Sequence, residues 1–380
     1  MATYLTRLNS RVLTSILLVA LPVLVIGGAI VIGIGQGRLW ESQSLQLARL
    51  AEYAASATDA YFYRRILDAA MLGRVPEIRQ AAMAGSKQPY DARQIGELDK
   101  EWQSQGAVTA PRTGLLATPA SQFLADLIKH DSIYREVLVT DRHGRLVAAS
   151  NLTSDYYQAD EAWWTDAYDS GRGRVSVSDV RFDESAHVYA FEIAVPVHGE
   201  ADKEVAGIMK IVADSREMLT AIAGLELGMT TEATLVRPDG SIVFSRQGYV
   251  EGNRLFGAEL LRQRLEDRAN RKEPAGTIRY EAGTADGTRR VVAVAPSQLS
   301  QSYPELSWMM AVSADRDELL APFRSLLWYL GLVFALTGIA VLAIALWLSM
   351  RLATPTIDPE YAMHLVEHAR TPGQEDAELP

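Results

Sequence analysis

REVLVTDRHGRLVAAS, residues 135–150, sets the frame for the rest of this chain: a short apolar run, a polar turn ending in Gly, and a second short apolar run. That order is the signature of two strands joined by a tight connection. The same grammar returns in TEATLVRPDGSIVFSR, residues 231–246, with RPDG standing where DRHG stood. One such hairpin says little, because Asp-Gly turns are common. Two copies, each followed by further strand-like runs, indicate tandem units of one architecture. After the first copy come GRVSVSDVRF (173–182), HVYAFEIAVPV (187–197) and EVAGIMKIVAD (204–214). After the second come AGTIRYEAG (275–283), TRRVVAVAPSQL (288–299) and LSWMMAVSAD (306–315). The first unit therefore reads as an antiparallel sheet of about five strands, with residues 157–168 as a helical excursion inside it.

Upstream of the first hairpin the period changes. Trp40, Leu47, Leu50, Ala54, Ala57 and Tyr61 draw one apolar stripe along a helix, with Gln43 as its polar exception. The stripe can pack on the protein's own sheet or on a second copy in a coiled-coil-like seam. Helical character continues to His130, with breaks near Pro76 and across residues 107–114.

Two apolar blocks flank all of this: VLTSILLVALPVLVIGGAIVIGIG, residues 12–35, and LLWYLGLVFALTGIAVLAIALWLSM, residues 326–350, each without a charge. A hydrocarbon core about 30 Å thick needs roughly 20 apolar helical residues, so both can span it. The first exceeds the roughly 7–15 residues of a signal-peptide core and ends without an A-x-A-like site. The second is apolar on every face, unlike a core helix. Arg7, Arg11 and Arg351 place both termini in the cytoplasm against the opposing Arg38 and Arg324, and Trp328, Tyr329 and Trp347 fit interfacial belts. Ala29 with Gly33, and Gly331 with Ala335, suit close helix contact in a homodimer.

The expected layout is a cytoplasmic N-terminus (1–11), a first transmembrane helix (12–35), an outer region (36–325), a second transmembrane helix (326–350) and a cytoplasmic tail (351–380). The outer region divides into a long helix (36–130), a membrane-distal module (131–222) and a membrane-proximal module (223–318). The fold class is α+β: a long N-terminal helix plus two tandem antiparallel-sheet modules, which resemble PAS modules, between two transmembrane helices. There is no cysteine, which excludes disulfides and zinc-cysteine sites. The net charge of −10 argues against a nucleic-acid partner. No G-x-S-x-G, H-E-x-x-H, P-loop or kinase glycine loop occurs, so neither an enzyme nor a cofactor is indicated. The six histidines are scattered, so no metal site is indicated.

The richest cluster for a small ligand is aromatic and charged: Tyr156, Tyr157, Trp163, Trp164 and Tyr168, then Asp179, Arg181, Asp183, Tyr189 and Lys210. A pocket is mostly apolar and aromatic with a few placed polar groups, and this inventory can line one. The same rings can equally be core between helix and sheet.

VLVTDRHGRLVAAS, EAWWTDAY, FEIAVPV with EVAGIMKIVADS, TLVRPDGSIVFS and LSWMMAVSADRDEL together resemble the double Cache sensor domain of bacterial transmembrane receptors. The resemblance implies a receptor of the bacterial inner membrane whose distal module binds a small molecule and relays the event to a cytoplasmic signalling module or partner. It places the ligand beneath the segment matching EAWWTDAY. Members resembling amino-acid sensors carry an Arg two places before a Trp-Tyr pair; here Glu161, Trp163 and Trp164 stand there, and Lys210 precedes Asp214 on the later strand. With Arg181 and Lys210 facing inward, an organic anion is the expected ligand. RLATPTIDPEYAMHLVEHARTPGQEDAELP, residues 351–380, resembles the first half of a HAMP linker. The rival readings are a membrane-anchored interaction protein with a ligand-independent outer domain, and an enzyme with a dispersed site.

Overall fold

The computed structural model describes residues 10–104, 110–183, 188–199, 204–217, 229–245, 252–284, 287–351 and 363. The expected N-terminal segment before residue 10, the 222/223 module boundary and the HAMP-like tail, residues 351 and 363 apart, lie outside them. The chain divides into two compact units, Ser42–Leu319 and the combination of Met1–Glu41 with Leu320–Pro380.

A first helix, α1, runs Ser10–Leu72. Residues 36–130 were expected as a long helical region with breaks near Pro76 and across residues 107–114, and the structure resolves the region into separate helices. α1 stops before Gly73, where an added Cβ would meet Pro196 O and Val195 Cγ2 at 3.6 Å, and Pro76 opens α2 (Pro76–Ser86) at a first-turn position that needs no N–H. A Pro89 turn then leads to α3 (Ala92–Gln103), capped by Asp91, and α4 (Ala110–Leu116) and α5 (Pro119–His130) follow. Of the predicted stripe, Leu47 and Ala54 are fully buried within the single chain, so the protein's own modules take that face.

The first module is a six-stranded sheet, one strand more than the sequence suggested. β1 (Tyr134–Thr140), β2 (Leu146–Ala149), the helix α6 (Ala162–Tyr168), β3 (Ser176–Val177), β4 (Arg181–Asp183), β5 (Val188–His198) and β6 (Val205–Asp214) build it in the order β2-β1-β6-β5-β3, with β4 also on β5. GRVSVSDVRF is thus two short strands and not one. The second module has β7 (Glu232–Val236), β8 (Ile242–Ser245), a helix α7 (Ala258–Asn270), β9 (Ile278–Gly283), β10 (Arg289–Pro296), a short α8 (Leu299–Ser302) and β11 (Met309–Asp315), ordered β8-β7-β11-β10-β9. α7 was not foreseen, because only Ala258 and Leu261 of its residues are buried and its sequence shows little apolar period. A short α9 (Arg316–Leu319) and a long α10 (Ala321–Arg351) follow.

The two hairpin turns are structural counterparts. Asp141 N–H donates to Arg145 O at 2.9 Å, and Arg237 N–H to Ser241 O at 2.9 Å. Gly144 and Gly240 both have φ of +82°, and a Cβ on either would collide with the Cβ of an alanine, Ala159 or Ala258. Only glycine meets both demands.

Among the described residues, α1 and α10 are the two helices long and apolar enough to cross a membrane: their best windows have mean hydropathies of 2.8 and 2.4, and 6% of each is buried. That low burial separates them from core helices of a soluble domain.

Asp214, at the end of β6, fixes β1 to the strand beside it. Its carboxyl is 3% exposed and accepts from Arg135 Nη2 at 2.7 Å and Arg216 Nη2 at 2.6 Å. Burial alone would raise its pKa, but the hydrogen bonds from Arg216 and Arg135 override it and hold the group at about 2, below its ordinary 3.8. A depressed carboxyl contributes stability that is present above its unfolded pKa and disappears as the pH falls through the folded one. We therefore expect about 2 kcal/mol to be lost between pH ~4 and ~2. An Asp214→Asn chain should lack this component, and chemical denaturation at several pH values checks it.

Candidate functional site

β5 and β6 lie in the middle of the first sheet, and the face they turn to α6 carries Glu192, Ala194 and Lys210. Lys210 stands opposite Ala194, so on the pleat it is a diagonal neighbour of Glu192, and its Nζ lies 3.5 Å from Glu192 Oε1. β4 flanks β5 with Arg181 opposite Ala190, which brings Arg181 Nη2 to 2.5 Å from Glu192 Oε2. One carboxylate is thereby held between two cations from neighbouring strands. The side chains of Lys210 and Glu192 are only 12% and 9% exposed, whereas that of Arg181 is 61% exposed. Burying charge is unfavourable unless it is paired, so this row is a costly feature of the sheet.

α6 roofs the row. Its Trp163, Trp164 and Ala167 point to the sheet. Lys210 Nζ lies 5.1 Å from the Trp163 ring centroid, a cation–π contact in a largely dry setting. Trp164 donates Nε1–H to Thr140 Oγ1 at 2.8 Å and stacks on Tyr168 with centroids 4.6 Å apart. A cavity of about 200 Å³ opens between α6 and the β3–β5 edge. It is lined by Trp163, by Asp166 and Arg174, which pair at 3.5 Å, by Ser176, Ser178, Arg181 and Glu192, and by Glu305 from the second module. That volume is below the roughly 300–1,000 Å³ of a drug-sized pocket and suits a metabolite of few atoms.

Of the residues singled out in the sequence, Trp163 and Arg181 line this cavity, and Lys210 lies against two of its lining residues, Glu192 and Trp163. Trp164 and Tyr168 are part of the core behind Trp163. Tyr156 packs on Trp102, 5.7 Å away. Tyr157 is remote: its N–H donates to Asp99 at 3.0 Å and its hydroxyl is hydrogen-bonded to Tyr90, while burial pushes its phenol pKa up. Tyr189 packs edge-on against Phe182 at 5.2 Å, beyond the cavity, and Asp183 ends β4. Asp179 faces the second module, where it accepts from Arg237 and Trp308. Asp166, Arg174, Ser176, Ser178 and two further acids of the cavity, Glu192 and Glu305, escaped the sequence reading. Glu192 sits inside the apolar run FEIAVPV, and a lone acid in such a run was the available signal. Glu305 comes from a different module, and nothing local to it points to the cavity.

A larger cavity of about 620 Å³ lies elsewhere on the first module, lined by Ser86, Lys87, Tyr90, Arg142, His143 and Glu204. None of the ten residues singled out in the sequence lines it, and its Arg142–Glu204 pair is solvent-exposed at 43% and 74%. It has no buried charge row and no indole roof. Among the described residues no group of His, Asp and Glu could hold a metal ion.

The family of the Cache domain matches residues 38–323 of this chain. No curated protein sequence matches it significantly. Among solved structures, it is similar to the ligand-binding domain of the Pseudomonas aeruginosa PAO1 amino acid chemoreceptor PctB in complex with L-Arg, at 18% identity and a TM-score of 0.43, over 74% of this chain and 91% of that one. The ligand-binding domain of Campylobacter jejuni chemoreceptor Tlp3 with L-valine is similar at 12% identity and a TM-score of 0.43, over 74% and 96%. That of Pseudomonas fluorescens chemoreceptor CtaA with L-serine is similar at 16% and 0.40, over 73% and 99%.

Proposed function

This chain belongs to the Cache-domain family of non-catalytic, ligand-binding sensor modules, and we propose that it is a two-pass membrane receptor whose first module binds a small zwitterionic solute in the cleft under α6. Occupancy then biases the arrangement of the modules and of α1, and a cytoplasmic signalling partner reads the change. A ligand shifts such an equilibrium only by its differential affinity for the two states.

The observation that carries this reading is the Lys210–Glu192–Arg181 row beneath Trp163. A largely buried Lys210–Glu192 pair under an indole, with Arg181 at its exposed end and a small cavity beside it, is expected of a recognition site, because it is unfavourable as mere scaffolding. The same row decides the ligand class. Glu192 already engages both cations, so a simple anion could claim Arg181 and Lys210 only by displacing it. The acids Asp166, Glu192 and Glu305 balance the cations Arg174, Arg181 and Lys210 around the cavity. A balanced lining favours a ligand with both an ammonium and a carboxylate over the organic anion suggested by the cations alone.

The test is thermal unfolding of the full chain in nanodiscs against L-α-amino acids, simple organic acids and primary amines. A ligand at 100 times its Kd stabilises the folded state by about 2.7 kcal/mol, so the melting temperature should rise with dose for at least one amino acid. Shifts from organic acids alone would restore the anion reading. Silence across all three classes would point to a ligand-independent interaction domain.

A further inference from the structure

One wall of the cleft belongs to the second module. Glu305, on the segment between α8 and β11, lines the cavity with Trp163 and Arg181, and among the described residues its carboxylate has no ion pair or hydrogen bond. The other two acids of the cleft are already engaged, Asp166 by Arg174 and Glu192 by Arg181 and Lys210. Glu305 is therefore the acid that remains open to an arriving cation.

The segment carrying Glu305 is pinned from the first module. Trp308, three residues on and fully buried, donates Nε1–H to Asp179 Oδ1 at 2.9 Å, and Arg237 Nε donates to Asp179 Oδ2 at 2.7 Å. Asp179 points across because of a β-bulge. The ladder on β5 slips by one residue between the pairs Val177↔Ile193 and Arg181↔Ala190, which leaves one extra residue in the span that holds Asp179. Ser178 anchors the bulge, its Oγ accepting from Glu192 N–H at 2.9 Å. The same few residues thus present Ser178 and Arg181 to the cleft and Asp179 to the other module.

We infer that the cleft is a two-module site, in which Glu305 meets the cationic group of the ligand and Asp179 is the positioning residue that holds Glu305 against the cleft. This rests on the reading of the cleft as the ligand site. It adds that a bound ligand ties the modules together. Trp308 also packs on Phe62 of α1 at 4.8 Å, so a pull on its segment reaches the helix that leads to the membrane block.

The experiment uses the full chain in nanodiscs and the amino acid that binds best, by isothermal calorimetry. Glu305→Gln should weaken binding about 10–100-fold, as expected for loss of a charged hydrogen bond, with an unchanged melting temperature. Glu259→Gln, an exposed acid of α7, should leave affinity unchanged. N-acetylation of the same amino acid should weaken binding to the unmodified chain and leave Glu305→Gln without further effect. Equal affinity of Glu305→Gln and the unmodified chain would overturn the inference. A second arm needs no ligand: the chain has no native cysteine, so Asp166→Cys with Glu305→Cys places two unique thiols on opposite walls. A short bifunctional methanethiosulfonate should bridge them within one chain, and adding Asp179→Ala should abolish the bridge. If no amino acid binds the unmodified chain, the zwitterion reading falls, and the bridge alone decides the geometry: no bridge overturns the two-module cleft, and a bridge that survives Asp179→Ala overturns the role of Asp179.

Discussion

Arg145→Ala should lower the stability of the folded chain by about 3–5 kcal/mol, the usual consequence of removing one partner of a buried ion pair. Asp141 is fully buried, and Arg145, 11% exposed, meets it with Nε at 2.7 Å from Asp141 Oδ2. The rest of the guanidinium fork donates to three carbonyls at the end of α2 and in the α2–α3 connection: Gly85 O at 2.8 Å, Gln88 O at 3.3 Å and Pro89 O at 3.0 Å. Truncation therefore strands an acid in the core and leaves the connection without its donors. Gly85 explains why α2 comes near enough for this, since a Cβ there would press on Val147 and Asp141. The melting temperature should fall by about 10 °C. Arg145→Lys should recover only part of the loss, because an ammonium cannot reproduce the planar fork. A loss below about 1 kcal/mol would mean that the pair contributes little beyond an exposed one.

This pair also shows what local sequence could and could not convey. The DRHG turn was legible because its determinants are a few adjacent residues: Gly144 at positive φ, and Asp141 accepting from the His143 and Arg145 N–H groups. What Arg145 does beyond the turn depends on carbonyls of a distant connection and was not. The membrane blocks were legible from length and apolarity alone. GRVSVSDVRF was read as one strand although its alternation changes phase at Ser178–Asp179; the bulge there answers to Arg237 and Trp308, which belong to another module. In the cleft, Trp163, Arg181 and Lys210 were recognisable by residue type. Glu192 was not, since strand periodicity gives its position and only the neighbouring strands give its partners. That omission is why the cations alone suggested an anion.

The long helix was legible as an amphipathic stripe, but the residue that matters most on it lies just past the predicted stripe. Phe62 is fully buried, with its ring 4.6 Å from Phe191 of the first module and 4.8 Å from Trp308 of the second. Near it, Asp59 accepts from Ser297 Oγ at 2.5 Å and from Gln298 N–H at 2.8 Å, while Arg65 lies 3.8 Å from Asp131. α1 is thus fastened to the second module by Asp59 and to the first by Arg65, with Phe62 wedged between. Phe62→Ala should cost about 3–5 kcal/mol, the sum of lost burial and the cavity left among rings that cannot all collapse inward. Phe62→Leu keeps most of the volume and should cost about 1–2 kcal/mol. Denaturant unfolding of the two variants in nanodiscs checks both values. The functional consequence follows from the position of the ring: if occupancy of the cleft reaches α1 through Trp308, Phe62→Leu should leave ligand affinity near its original value while weakening the ligand-dependent change at α1. Spin labels on exposed Tyr53 and Leu67, each replaced by cysteine in this cysteine-free chain, would report that change. An undiminished response in Phe62→Leu would mean that the signal leaves the modules by another contact.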